Sequence, residues 1–183
     1  MIRVDKNSEE VKEEEKGGII SVSVKEDEEL LLYSILPEDF INENGLLSVA
    51  VAGKFLDNQV DDKGTIVVDS FEANPDFVNL LHEFLESSGR QSEILIDKLT
   101  KQDEGSWVFM IDQRVKDVSA EAQPKDVIGG YKIEDGKLGE YAGNPSHVLL
   151  TEDGIFQIGV QLKSDLIDFI RSKYEQSKEH TIN

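Results

Sequence analysis

Trp107-Val108-Phe109-Met110-Ile111, running straight into Asp112-Gln113-Arg114, is the stretch on which the fold turns. Five apolar residues between Gly105-Ser106 and a charged turn have the length of a strand, not of a helix. Beyond Pro124 comes Val127-Ile128-Gly129-Gly130-Tyr131-Lys132-Ile133, then Glu134-Asp135-Gly136-Lys137. Asp-Gly between such flanks is the signal of a tight reversal, so 125–138 contains a hairpin. Val148-Leu149-Leu150 and 155–160 flank Asp153-Gly154 in the same way.

On the N-terminal side, Ile20, Val22 and Val24 alternate with Ser21 and Ser23, the period of a half-buried strand. Residues 30–36 suit a second strand or a short helix. Residues 36–45 suggest a turn, a brief helix and another turn, and the apolar run 46–52 suggests a buried strand. A polar loop at 57–64 and a strand at 65–68 follow. Asn74-Pro75-Asp76 is a helix start, with Asn as cap, Pro in the first turn and an acid facing the dipole. Phe77, Leu80, Leu81, Phe84 and Leu85 then form one apolar stripe, and Ser87-Ser88-Gly89 stops it. Residues 91–100 fit a short helix or a strand. Ser164 is placed to cap a last helix, with Leu166, Ile167, Ile170 and Tyr174 on its buried side.

Strands and helices do not alternate regularly, which argues against a doubly wound parallel sheet. The expected fold class is α+β: an antiparallel or mixed β-sheet with two main amphipathic helices packed on it. Residues 1–18 hold too few apolar side chains to pack and read as a disordered charged tail. Residues 19–176 read as a single α+β domain, and 177–183 as a frayed C-terminus.

Charge narrows the function. The formal net charge is −19, and residues 31–105 contribute the largest share. A field of that sign repels phosphate backbones and anionic lipid, so neither nucleic acid nor a membrane is an expected partner. A basic protein is. Glu38, Asp39, Asp61 and Asp62 are the candidate partner-binding acids, although such charge also serves plain solubility. The chain has no cysteine, which removes disulfides, thiolate metal sites and cysteine nucleophiles. Its apolar runs are far shorter than the ~20 residues that span a bilayer. A soluble, cytoplasmic protein is expected.

Catalytic signatures are few. There is no Gly-x-Ser-x-Gly elbow, phosphate-cradling loop or His-Glu-x-x-His pair. His82, His147 and His180 are too scattered to predict a metal site, and no cofactor is expected. Residues 57–64 have the composition of a calcium loop, but no register sets both its glycine and its terminal glutamate correctly. Asp112, Arg114 and His147 are the best polar set. A carboxylate orienting an imidazole is the minimal acid–base pair, and would suit a small hydrolase or isomerase. The plainer expectation is that Asp112 and Arg114 cap a strand end while His147 packs in a turn.

Leu36-Pro37-Glu38-Asp39-Phe40 followed by Asn44-Gly45 is similar to the opening motif of the cell-wall-assembly-regulator superfamily, which includes bacterial toxin-immunity proteins. The likeness spans 36–45, and the aromatic-rich centre that would follow is replaced by the aliphatic run 46–53. The expected function is therefore that of a non-catalytic acidic binding protein, of adaptor or immunity type, with a basic protein partner.

Overall fold

The computed structural model describes residues 18–25, 28–55, 70–99, 102–114 and 122–181. The chain is an α+β protein of antiparallel sheets and helices. It forms two compact units, residues 1–78 with 170–183, and residues 79–169.

The first unit carries a four-stranded antiparallel sheet in the order β1 (Gly18–Lys25), β2 (Glu28–Ser34), β3 (Val51–Phe55), β4 (Phe71–Ala73). The alternation at 20–24 thus does form a strand, and 28–34 is its partner, with Ile20 opposite Leu32. Helix α1 (Glu38–Asn44) follows Pro37 and ends at Gly45, whose φ of 82° suits a residue without a Cβ. Phe40 on α1 packs edge-on against Tyr174, with ring centroids 6.2 Å apart.

Residues 46–52 do not make one continuous strand. Residues 45–47 are irregular, Ser48–Ala50 is a 3-10 turn and only then does β3 begin. The cause is non-local. The Asn74 side-chain amide donates to Ser48 O (2.9 Å) and Val51 O (2.8 Å), which fixes a bend that the apolar pattern does not encode. The residues expected as a loop at 57–64 and a strand at 65–68 lie outside the described residues, as do 1–17.

Helix α2 (Pro75–Ser88) begins where Asn74-Pro75 places it, with Asn74 Oδ1 accepting from Asp76 N at 3.1 Å. Phe77, Leu80, Leu81, Phe84 and Leu85 are all buried, as their spacing requires. Residues 93–99 resolve as a helix, α3 (Glu93–Leu99).

The second unit is built on an antiparallel sheet ordered β5 (Trp107–Ile111), β6 (Val127–Glu134), β7 (Lys137–Gly143). Asp135 (φ 53°) and Gly136 (φ 68°) both take positive φ, the geometry of the two-residue hairpin expected there. The other acidic-Gly turn differs. Only Gly154 has positive φ, and it joins two strands of two residues each, β8 (Leu150–Thr151) and β9 (Gly154–Ile155).

Helix α4 (Val160–Thr181) starts before Ser164, which sits inside it and caps nothing. The chain enters through Gly159 at φ 84°, and Lys163 N donates to Gly159 O at 3.0 Å. Leu162, Leu166, Ile167 and Ile170 supply its buried side.

Candidate functional site

The three polar residues singled out in the sequence converge at the end of β5. Asp112 follows the last residue of that strand, and a backbone bond from Asp112 N to Asp126 O (2.8 Å) holds it there. Its Oδ1 accepts from Arg114 N (3.1 Å) and Gln157 N (2.9 Å). Its Oδ2 accepts from His147 Nε2 (3.1 Å) and lies 3.2 Å from Arg114 Nε. Four groups from three chain segments therefore surround one carboxyl group that has no exposed surface.

Arg114 extends the cluster to the residues just before β8 and to the first residue of β9. Nη1 donates to Leu149 O (3.1 Å) and Gly154 O (3.0 Å), and Nη2 donates to Val148 O. Asp126 Oδ1 stands 3.7 Å from Nη2. A planar guanidinium can satisfy several carbonyls at once in a way a lysine ammonium cannot, which explains arginine at this position. Its side chain is 1% exposed and that of His147 is 4% exposed. His147 packs edge-on against Phe156, and its own backbone N–H bonds to Asn144 O in the turn after β7.

Chemically, Asp112 and His147 stand within the reach required of an acid–base pair. The remaining polar capacity of Asp112 and Arg114 goes to the backbone of 148–157, which they fasten to the end of β5. No serine or threonine hydroxyl among the described residues is bonded to His147. Nor is any group of three or more His, Cys, Asp or Glu among them placed to hold a metal ion.

A second polar set was not foreseen from the sequence. His82 on α2 has Nδ1 2.8 Å from the Tyr141 hydroxyl on β7, and the Tyr131 hydroxyl on β6 donates to Leu85 O. Burial, with the nearby His147 adding to it, holds His82 below the usual imidazole pKa. Burial raises Tyr131 and Tyr141 above the usual phenol range. Burial thus favours the neutral form of both partners. Both phenols tie α2 to the sheet. The sequence carries one hint, since Tyr131 sits among alternating strand residues opposite where a helix must cover the sheet. Tyr141 has no such hint, because its partner His82 on α2 is 59 positions away.

Of the acids expected to bind a partner, Glu38 and Asp39 are exposed in the first turn of α1. Asp61 and Asp62 lie outside the described residues, as does the loop 57–64. Among the described residues no helix is long and apolar enough to cross a membrane. Comparison of the chain with protein families, with curated proteins and with solved structures yields no match, including none to the superfamily that 36–45 resembles.

Proposed function

We propose that this chain is a non-catalytic, cytoplasmic binding protein of adaptor or immunity type, which engages a basic protein partner through its acidic surface. The observation that carries this reading is the closure of the Asp112–Arg114–His147 cluster. Its side chains are 0–4% exposed; Asp112 and Arg114 hold backbone of the segments around them, and the His147 ring is bonded to Asp112. The acids turned outward include Glu38 and Asp39, within a net charge of −19. Complementary charge of this kind accelerates encounter and selects the sign of the partner. The lack of cysteine accords with a reducing compartment.

A second reading, a small hydrolase or isomerase, draws on one observation, the 3.1 Å contact between Asp112 and His147. It requires the His147 ring to meet a substrate. On that reading His147→Ala abolishes turnover while ligand binding persists.

The experiment compares capture of partners from the native cell extract by the wild-type chain and by a variant carrying Glu38→Lys, Asp39→Lys, Asp61→Lys and Asp62→Lys. The expected result is slower association with basic proteins and a flattened salt dependence in the variant, at unchanged melting temperature. Capture indifferent to the reversals at low and high salt alike would overturn the reading.

A further inference from the structure

The outer face of the second unit's sheet holds what the cluster does not explain. Side chains alternate along β5, so Val108 and Met110 point inward and are buried, while Trp107, Phe109 and Ile111 point the other way. Phe109, at the centre of a strand that is outermost among the described strands of its sheet, is 51% exposed. Its cross-strand neighbour is Gly130, and the next residue in that row is Ala142 on β7, which is itself exposed.

Gly130 lets the ring lie close to the sheet. A Cβ there would stand 3.0 Å from Phe109 Cδ1 and 3.3 Å from Val108 O. The ring therefore rests on a floor from which side chains have been removed, with Ala142 continuing that floor across the sheet. Trp107 and Ile111 flank Phe109 and are half-buried. One exposed aromatic on a protein surface is unremarkable, but a phenylalanine, its two strand neighbours and a flat glycine–alanine step are contiguous.

The charges around this step indicate its occupant. Lys132, opposite Trp107, is paired with Glu134 at 3.1 Å. Glu140, two residues before Ala142, is exposed and has no ion-pair partner among the described residues. Lys137, opposite Glu134, is exposed as well. Against the two lysines stand Glu134, Glu140 and, at the hairpin end, the exposed Asp103, Glu104 and Asp135. The surroundings are thus acidic on a chain of net charge −19. A second copy would bring the same charge against it, whereas a basic segment complements it.

We propose that this face, centred on Phe109 over Gly130 and Ala142, docks a lysine- or arginine-rich polypeptide segment that sets one aliphatic or aromatic side chain beside Phe109. The surface presupposes the basic-partner reading above and supplies it with an apolar anchor. Anchors of this kind carry most of the energy of an interface, and the charged rim chiefly sets encounter.

Trp107, the only tryptophan, adjoins Phe109 and supplies the signal. Its emission is followed during titration with a short lysine-rich peptide carrying one leucine, and with the same peptide carrying serine there. Wild type, Phe109→Ala and Ala142→Arg are compared after confirming equal melting temperatures. The expected result is saturable binding of the leucine peptide, weakened at least about tenfold by serine in the peptide and by either substitution. Salt-dependent binding indifferent to leucine, Phe109 and Ala142 would overturn this surface and leave the basic-partner reading standing. Absence of binding by either peptide at low salt would overturn both. Sedimentation showing self-association that Phe109→Ala abolishes would overturn the basic occupant in favour of a second copy.

Discussion

Phe109 and Asp112 stand three residues apart on one stretch of chain, and they reverse the usual order of a globular protein. The apolar ring is half in solvent, and the carboxyl group has no exposed surface at all. Asp112 is surrounded by Arg114, His147 and the backbone of Gln157, all of which it holds in place. Phe109 has under it a glycine that cannot be anything larger without moving the ring. Chemical character alone therefore misassigns both residues. The polar group belongs to the architecture, and the apolar group belongs to the surface that meets other molecules.

The sharpest way to break this comparison is Asp112→Ala. Arg114 would keep its burial and lose the nearer of its two carboxylates, with only Asp126 left at 3.7 Å, for a cost of up to about 3–5 kcal/mol. Urea denaturation should show that loss, and a midpoint near wild type would mean that the cluster is not architectural. Gly136→Val comes next. Both turn residues have positive φ, and a β-branched side chain at φ 68° should cost roughly 1–3 kcal/mol. An unchanged midpoint would remove the hairpin as the frame that places β6 and β7 side by side.

Tyr131→Phe tests the inner face of the same sheet. It leaves the Leu85 carbonyl without its hydroxyl partner inside the protein, for about 1–2 kcal/mol. His82 gives a smaller effect with a definite sign. Its folded pKa lies below the ordinary 6.5, so the unfolded chain takes up a proton that the folded chain resists. The His82 contribution is then complete above that value and declines as pH falls below it. His82→Gln should flatten that part of the stability–pH curve, and an identical curve would mean that His82 titrates freely.

Much of this frame was legible in the sequence because it is local. Asn74-Pro75 and the stripe from Phe77 to Leu85 fix α2 within one segment, and Asp135-Gly136 fixes the β6–β7 turn. The bend at 48–50 was not legible, because it is set by the side chain of Asn74, 26 positions beyond Ser48. The start of α4 was misplaced at Ser164. The helix starts at Val160, after Gly159 at φ 84°, and Ser164 lies in its first turns. Asp112, Arg114 and His147 were recognisable as special residues at a strand end and a turn. Their mutual burial was not, since 35 positions separate Asp112 from His147. Phe109 was hidden for another reason. Both faces of β5 are apolar, so alternation cannot tell core from surface.

The most direct measurement applies two readouts to two variants. Urea midpoint and leucine-peptide affinity are determined for Asp112→Asn and for Phe109→Ala. Asp112→Asn keeps the shape but removes the nearer of the two charges opposite Arg114, and should lower the midpoint while the folded protein retains its affinity. Phe109→Ala should shift stability by no more than about 0.5 kcal/mol, as exposed substitutions usually do. Its affinity should fall at least about tenfold. The opposite pattern, with Asp112→Asn fully stable but deficient in binding and Phe109→Ala unstable but fully competent, would contradict the assignment of the buried cluster to the fold and the exposed ring to recognition.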